Sequence, residues 1–378
     1  MSADAVTRDA TSPGLAAPAT VAEDEETRIL DVRDFSVDYG WGDQAVTAVD
    51  HVDLHLERSK VLGIAGESGS GKSTLVYAMT RLLRTPGVIT GGEVVLRIAD
   101  QTIDLVQASE KELRALRWSH VSIVLQSALS ALNPVLRIEK IFEQVLKAHR
   151  HDMTSSQRRA RSAELLGLVG LEEDRLNRFP HELSGGQRQR VMIALALALD
   201  PELVIMDEPT TALDVVTQRE ILGELFELRS RFGFAMIFIT HDLSLLVELA
   251  DEIVVMYAGR IVERAPALDL YRAPRHPYTL GLLNSFPPLH GERGELEGIP
   301  GAPPDLAQLA PGCSFAPRCP YAFARCTTET PALAELGGEG RFVACWLHSG
   351  ETVVSVPVAL RAVPSRLEGA ATSSEVVS

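Results

Sequence analysis

The sequence predicts an α/β protein with a largely parallel sheet, and two observations carry that prediction. Continuous apolar runs at Lys60–Ala65, Leu203–Met206 and Ala235–Ile239 each end in polar residues, as buried strands do at the ligand-binding edge of an open α/β sheet. The first run leads into a glycine-rich loop, Gly66–Thr74, which a predicted helix follows. A strand, a loop and a helix in this order predict a phosphate-binding turn.

The remaining elements follow from the spacing of apolar residues. Alternation from Leu30 to Val37 predicts a first strand, and Val46–Leu56 predicts further strands. The later predicted elements are a helix at Lys72–Leu83, strands at 93–99 and 120–125, mostly helical structure over 137–170 and a helix at about Thr217–Arg231.

Composition and charge exclude several classes of function. The 378 residues predict two or three domains, and 46% hydrophobic with 23% charged residues is ordinary for a globular protein. The formal net charge of −15 argues against non-specific nucleic-acid binding, which needs a basic surface. No apolar run approaches the roughly 18–20 residues that span a bilayer, and the acidic N-terminal segment is unlike a signal peptide. We therefore expect a cytosolic protein whose membrane role would need a separate membrane partner.

Changes in composition predict the domain boundaries. Residues 1–26 are rich in Ala, Thr, Ser, Pro and acidic residues, which predicts a disordered tail. After Arg264, prolines and glycines become frequent and no long periodicity remains. The predicted divisions are a tail at 1–26, a main α/β domain at 27–265 with a helical insertion at about 127–185, a small irregular domain with four cysteines at 266–350 and a second tail at 351–378.

The glycine-rich loop matches the phosphate-loop pattern G-x-x-x-x-G-K-[ST]. Its glycines let backbone N–H groups converge on phosphate oxygens, and the helix that follows adds the positive end of its dipole. We expect Lys72 to reach the β- and γ-phosphates of a nucleotide and the Ser73 hydroxyl to bind Mg²⁺. The predicted nucleotide-binding residues of the loop are Gly66, Glu67, Ser68, Gly69, Ser70, Gly71, Lys72, Ser73 and Thr74.

Three polar residues at strand ends complete the predicted active site. Asp207 ends one apolar strand, where such an acid holds the Mg²⁺ shell, and Glu208 follows directly, where a carboxylate can orient the attacking water. Taken alone, the two acids could be solvated residues of a turn before Pro209. His241 follows the strand at 235–239 and could hydrogen-bond the γ-phosphate or the water, although a single histidine at a strand end is usually structural.

Together these residues resemble the nucleotide-binding subunits of ATP-binding cassette (ABC) transporters over about residues 28–265. The motifs of that family occur in order: Tyr39 as the aromatic that stacks on adenine, Gly66–Thr74 as Walker A, Gln126 as the Q-loop glutamine, Leu183–Gln187 as the signature, Leu203–Glu208 as Walker B, Ala212–Asp214 as the D-loop and His241 as the switch histidine.

The resemblance implies a RecA-like core, an antiparallel β portion and a helical subdomain. It also implies hydrolysis of ATP with Mg²⁺. In this interpretation the metal contacts are Ser73, Gln126 and Asp207, and the catalytic residues are Glu208, His241, Lys72 and Gln126. Gln126 would also sense the membrane partner.

The signature implies an active site shared between two chains. A serine followed by two glycines at a helix start offers a hydroxyl, free backbone amides and a positive dipole end, which together suit a phosphate. Ser184 could also cap that helix, but capping does not explain the glycine pair. One chain does not need two distant phosphate-binding segments, the phosphate loop and the signature, for one γ-phosphate. The signature would therefore bind ATP held by a partner chain. The residues expected to contribute are Ser184, Gly185, Gly186, Gln187 and, from the D-loop, Asp214.

The region after Arg264 narrows the resemblance to ATPases of oligopeptide and dipeptide importers, a subfamily that also imports nickel and oligosaccharides. The similar segments are Ser130–Pro134, Arg275–Thr279, Ile299–Pro304, Pro311–Cys313 and Arg318–Pro320. This implies a peripheral subunit at the cytoplasmic face of a bacterial-type membrane. Its partners would be two transmembrane permease subunits, an extracytoplasmic solute-binding protein and often a second, different ATPase chain, with no nucleic acid.

Three alternatives to a peptide importer remain from the sequence. The segment Ser127–Pro134 lacks an acidic residue that often follows the glutamine in peptide systems, so an oligosaccharide substrate stays open. A soluble cassette ATPase of DNA repair or translation would carry a long coiled-coil insertion or two cassettes. An exporter ATPase would leave residues 275–345 unexplained.

Four cysteines, Cys313, Cys319, Cys326 and Cys345, lie in the C-terminal region. Their spacing is neither that of zinc ribbons nor the common ferredoxin run. Four thiolates could still ligate one [4Fe–4S] cluster or, alternatively, one Zn²⁺, and a region with little apolar periodicity would be stabilised by a metal. Free thiols are the remaining alternative.

Overall fold

The computed structural model describes residues 27–99, 101–125, 131–210, 213–285, 298–337 and 340–350, apart from the side chain of Asp43. Both predicted tails, at 1–26 and 351–378, lie outside the described residues. Gln126 of the predicted catalytic set and Ala212 of the predicted D-loop also lie outside them.

Strands and helices alternate along most of the described chain. The strands are β1 Arg28–Tyr39, β2 Val46–Glu57, β3 Val61–Ala65, β4 Gly87–Ile98, β5 Gln101–Asp104, β6 Val121–Val124, β7 Leu203–Asp207, β8 Ala235–Ile239, β9 Glu252–Tyr257, β10 Arg260–Pro266, β11 Ala334–Glu335 and β12 Phe342–Val343. The α-helices are α1 Lys72–Met79, α2 Glu110–Leu116, α3 Ile138–His149, α4 Ser155–Leu168, α5 Gly185–Ala196, α6 Val215–Phe232, α7 Leu243–Leu249, α8 Ala267–Arg272 and α9 Pro277–Asn284.

The main sheet has the strand order β11-β12-β10-β9-β3-β8-β7-β6. The strands from β9 to β6 are parallel, and β10, β12 and β11 are added in antiparallel pairing. Because β3, β8 and β7 are parallel neighbours, the residues that follow their carboxyl ends lie along one edge. The predicted phosphate loop, the acidic pair and the histidine therefore meet there.

Strand β3 shows why the central strands read as continuous apolar runs. Val61 and Ala65 pack in the cluster on one face of the sheet, whereas Leu62 and Ile64 pack in the cluster on the other face. A strand covered on both faces leaves no position for polar alternation. Gly63 allows α7 to come close, since a Cβ there would lie 3.0 Å from Cδ2 of Leu246.

A second sheet, β2-β1-β4-β5, is antiparallel and covers one face of the main sheet together with α1. Its fully buried Val32, Phe35 and Leu96 belong to the same apolar cluster as Leu62 and Ile64. The other cluster joins the main sheet to α3, α4 and α5. The predicted fold, with a mixed α/β core, an antiparallel portion and a helical portion, is confirmed.

Helix α1 ends four residues earlier than the sequence predicts. Arg81 adopts a left-handed conformation with φ 55°, and the backbone N–H of Leu82 donates to the carbonyl oxygen of Tyr77 at 2.7 Å. This pattern resembles the Schellman ending of a helix, which usually has glycine in the left-handed position. An arginine there gives no sequence signal of a helix end.

The region after Arg264 is less irregular than predicted, because it contains α8 and α9 and extends the main sheet. Strand β12 pairs with β10 through Glu263↔Val343 and Arg264↔Phe342. The buried carboxylate of Glu263 accepts hydrogen bonds from the backbone N–H groups of Arg275 at 2.7 Å and His276 at 2.8 Å, just before α9. Helices of six and eight residues are too short for a clear apolar period.

Candidate active site

The phosphate loop joins the end of β3 to α1, as the sequence predicts. Lys72 is buried, and its Nζ donates to the carbonyl oxygens of Gly66 at 2.7 Å and Glu67 at 2.8 Å. Burial lowers the pKa of Lys72, and the carboxylates of Glu208, Asp207 and Glu67 oppose that shift. The ammonium group is thus held inside the loop and faced by acidic groups.

Glycine is required at two points of the loop by its close packing. Gly71 has φ 102°, and a Cβ there would lie 2.5 Å from the carbonyl oxygen of Ala48. Gly66 has φ 147°, and a Cβ there would collide with the carbonyl oxygen of Met256. Both positions combine a left-handed backbone with a backbone neighbour that cannot move aside, so other residues would distort the loop.

Ser73 and Asp207 form a site suited to a divalent cation. The Ser73 hydroxyl donates to Oδ1 of Asp207 at 3.1 Å, while Oδ2 is buried without a hydrogen-bond partner among the described residues. Burial raises the pKa of Asp207, and the hydrogen bond from Ser73 opposes that rise. A buried carboxylate oxygen in need of a partner beside a hydroxyl fits the oxygen ligands that Mg²⁺ prefers.

Glu208 and His241 lie together at the ends of β7 and β8. Nδ1 of His241 is 3.5 Å from Oε1 of Glu208, and the Glu208 backbone N–H donates to the carbonyl oxygen of Ile239 at 2.9 Å. Glu208 has φ 46°, a left-handed conformation that is uncommon for residues other than glycine and often marks a functional position. The structure therefore brings together the two residues that the sequence assigned to the attacking water.

Tyr39 ends β1 beside the phosphate loop. Its hydroxyl lies 3.5 Å from Oγ1 of Thr74, the last residue of the predicted loop motif. An aromatic ring at this place is compatible with the predicted contact to a nucleotide base.

The signature residues cap α5. The Ser184 hydroxyl accepts from the backbone N–H of Gln187 at 3.2 Å, and the Gln187 side chain accepts from the Ser184 N–H at 3.1 Å. This reciprocal pair is a capping box, so the capping role that the sequence left open is present.

The glycine pair of the signature also has a packing role that the sequence did not reveal. A Cβ at Gly186 would lie 2.7 Å from Cγ2 of Thr217, and one at Gly185 would lie 3.4 Å from Cδ2 of Leu213. Thr217 in turn donates from its backbone N–H and its hydroxyl to Asp214 at 3.0 and 2.8 Å. The signature and the D-loop therefore form one packed unit.

The C-terminal region supplies two contacts to the phosphate loop that sequence reasoning missed. The hydroxyl of buried Tyr278 accepts from the backbone N–H of Glu67 at 2.7 Å. The Arg318 guanidinium donates to both carboxylate oxygens of Glu67, at 2.6 and 3.0 Å. Both residues lie in segments that resemble the importer ATPases, Arg275–Thr279 and Arg318–Pro320, but no local pattern in the sequence shows that they contact the phosphate loop.

The four cysteines are free thiols in the structure. Burial raises the pKa of Cys345 to about 12 and that of Cys319 to about 11, with smaller contributions from neighbouring thiols. Within the described ranges, no group of His, Cys, Asp or Glu side chains is arranged to hold a metal ion. The predicted [4Fe–4S] or zinc site at Cys313, Cys319, Cys326 and Cys345 is therefore not supported.

Known families match the chain in two places. Residues 49–211 match the family described as "ABC transporter". Residues 262–326 match the family described as "Oligopeptide/dipeptide transporter, C-terminal region". An oligopeptide transport ATP-binding protein of Salmonella typhimurium is 41% identical over 334 residues, which cover 88% of this chain and 97% of the relative.

The chain belongs to the ATP-binding subunits of ABC transporters. A dipeptide transport ATP-binding protein of Caldanaerobacter subterraneus is 40% identical over 321 residues, covering 85% of this ABC ATPase and 97% of that relative. A dimeric ATP-binding cassette solved with ADP and phosphate matches with a TM-score of 0.56 and 30% identity, covering 63% of this chain and 98% of the other. The resemblance to this family is thus confirmed, and with it ATP hydrolysis as the reaction. None of the ABC ATPase's described helices has the length and apolar character to cross a bilayer.

Proposed function

We propose that this ABC ATPase powers the import of oligopeptides or dipeptides through a membrane transporter. ATP hydrolysis is the part of the proposal that the structure carries, through one observation. At one edge of the sheet it brings together Lys72, Ser73, Asp207, Glu208 and His241. The importer assignment is supported by the matching C-terminal region and by relatives described as oligopeptide and dipeptide transport ATP-binding proteins.

In the proposed mechanism, the phosphate loop binds the phosphates of ATP with its backbone N–H groups, and Lys72 stabilises charge on the γ-phosphate. Ser73 and Asp207 would hold Mg²⁺, which neutralises charge on the phosphate oxygens. Glu208 orients the attacking water, and His241, 3.5 Å from the Glu208 carboxylate, completes that site. Tyr39 contributes the contact to adenine.

The second half of each active site would come from a partner ATPase. The dimeric arrangement of the cassette solved with ADP and phosphate supports a paired assembly. In this arrangement Ser184, Gly185, Gly186 and Gln187 face the ATP of the partner. Asp214 caps the neighbouring helix α6. It would hold the two ATP sites of the paired ATPases in a fixed position relative to each other.

We also propose two permease subunits, an extracytoplasmic solute-binding protein and a second, different ATPase chain as partners at the cytoplasmic face of the membrane. The permeases would dock near Gln126 and the helical subdomain. An apolar groove lined by Leu82, Leu113, Trp118 and Leu125 supports this, since Leu125 directly precedes Gln126 in the sequence. The proposed divisions remain 27–265 for the ATPase domain and 266–350 for the C-terminal extension.

Reconstitution of the complete transporter tests this function. The purified chain, its permeases and its binding protein would be assembled in lipid nanodiscs, and ATP hydrolysis would be measured with di- and oligopeptides. We expect peptides to stimulate hydrolysis several-fold, while an oligosaccharide of similar size does not. Stimulation by oligosaccharides alone would contradict the peptide assignment. A rate of ATP hydrolysis that is the same with and without the permeases would favour a soluble ATPase.

A further inference from the structure

Glu67, the second residue of the phosphate loop, is held from two sides. Its carboxylate and its backbone N–H contact the C-terminal extension, through Arg318 and Tyr278. Its carbonyl oxygen accepts from Nζ of Lys72 at 2.8 Å and from the backbone N–H of Ser70 at 3.2 Å. One residue thus connects the extension to the lysine that the proposed function places at the γ-phosphate.

The extension side of this connection is firmly anchored. Arg318 is 8% exposed, and its Nε donates to the carbonyl oxygen of Pro300 at 2.8 Å, which fixes the plane of the guanidinium. Nη1 also lies 3.3 Å from the hydroxyl of Tyr257 at the end of β9. A planar guanidinium that meets both oxygens of a carboxylate gives a strong and directional ion pair.

An aromatic cluster holds the extension against the same edge of the sheet. The ring of Phe315, three residues before Arg318, lies 5.3 Å from Tyr257 and 5.4 Å from Tyr278, centroid to centroid. Tyr257 and Tyr278 are 4.6 Å apart in an edge-to-face arrangement. Offset and edge-to-face pairs of buried rings add to the free energy of packing, so this contact is stable.

We propose that Arg318 is a positioning residue for ATP binding, which acts through Glu67 to hold the phosphate loop in its binding conformation. This inference rests on the proposed ATP site at Lys72. A loop that is held in place loses less conformational freedom when ATP binds, which increases affinity. Because Glu208 and His241 follow β7 and β8 rather than belonging to the phosphate loop, loss of Arg318 should weaken ATP binding more than it slows turnover.

Four variants of the full-length chain test the proposal: R318Q, E67Q, the double variant and K72A. ATP binding would be measured by calorimetry, and KM and kcat in the assembled transporter. We expect R318Q and E67Q each to raise the Kd and KM for ATP about five- to twentyfold, with kcat changed less than about threefold. In the double variant the two effects should not add, because both remove the same contact.

Arg325→Ala is the matched control. Arg325 also lies in the extension, where it pairs with Glu329 at 2.8 Å and stacks on Trp346, away from Glu67. If R318Q acted only by loosening the extension, Arg325→Ala should have the same effect. A rise in the KM for ATP in Arg325→Ala equal to that in R318Q would therefore overturn the proposal. Should R318Q fail to fold, E67Q provides the test from the other end of the ion pair.

The outcomes separate this inference from the proposed function. Normal ATP affinity in both R318Q and E67Q, with binding abolished in K72A, would refute the role of Arg318 and leave the ATP site in place. Normal ATP binding in K72A would instead refute the site itself.

Discussion

At the scale of single residues, Glu208 combines its proposed catalytic role with backbone strain. Its φ of 46° is left-handed, and its backbone N–H is fixed by the carbonyl oxygen of Ile239 on β8. The residue is therefore placed by the sheet, whereas Lys72 is placed by the loop.

We expect Glu208→Gln to keep ATP binding and to lose most turnover. Glutamine retains the shape and the backbone geometry but cannot orient and polarise water as a carboxylate does, so kcat should fall about 10²–10³-fold. Phosphate release in the assembled transporter and ATP binding to the isolated chain would measure the two effects. Hydrolysis at the wild-type rate would remove Glu208 from its assigned role.

At the scale of elements, the packed unit of signature and D-loop gives a sharp prediction for Gly186→Ala. The added Cβ would meet Cγ2 of Thr217 at 2.7 Å, and such overpacking costs about 1–3 kcal/mol. Chemical denaturation would show a lower free energy of unfolding.

Two companion variants test that explanation. Gly223→Ala lies in the same helix as Thr217 and meets nothing within 4 Å, so it should be neutral or stabilise by about 0.5–1 kcal/mol. Thr217→Ser removes Cγ2 but keeps the hydroxyl that binds Asp214, so the double variant Gly186→Ala/Thr217→Ser should recover stability. Without recovery, the steric explanation fails.

Another prediction at this scale concerns Glu263, which joins the extension to the sheet. Burial raises the pKa of Glu263 from 4.5 to about 7, while hydrogen bonds from the backbone N–H groups of His276 and Arg275 oppose the rise. The folded state therefore binds a proton more tightly than the unfolded state. The tighter proton binding stabilises the folded state fully below about pH 4.5. This stabilisation is lost as the pH rises through about 7.

Comparison of the wild type with Glu263→Gln isolates this effect from other titrating groups. Buried His276 acts in the opposite direction, because burial lowers its pKa to about 3 and its stabilising contribution is lost as the pH falls below about 6.5. Unfolding free energies would be measured from pH 5 to pH 8. We expect the free energy of unfolding of the wild type, relative to that of Glu263→Gln, to be higher at pH 5 than at pH 8. A difference independent of pH would contradict the raised pKa.

At the scale of the whole molecule, the proposed sharing of the active site between two chains predicts an effect in trans. Gly185→Asp places a carboxylate where the partner's phosphate would bind, so hydrolysis in the assembled transporter should fall at least tenfold by charge repulsion. The isolated variant should bind ATP at its own loop with wild-type affinity. Loss of that binding as well would show that the signature serves its own chain.

The sequence could predict those parts of the site that are formed by consecutive elements along the chain. Strand, loop and helix around Lys72 are consecutive, and Asp207 and His241 each follow a buried apolar strand. It could not predict the pair of Glu67 with Arg318, whose positions are 251 apart, because no local pattern shows which charges meet in the fold. The steric reason for Gly186 was hidden in the same way, since it depends on Thr217 of another helix.

The pairing of β12 with β10 has a consequence for association between copies of the protein. Strand β10 would otherwise present a row of unpaired backbone N–H and C=O groups, which can template pairing with another chain. Strands β12 and β11 cover it and end the sheet in a pair of two-residue strands. Such a short edge offers too few hydrogen bonds to recruit a further strand. The extension therefore protects this edge of the sheet from pairing with the sheet of another copy.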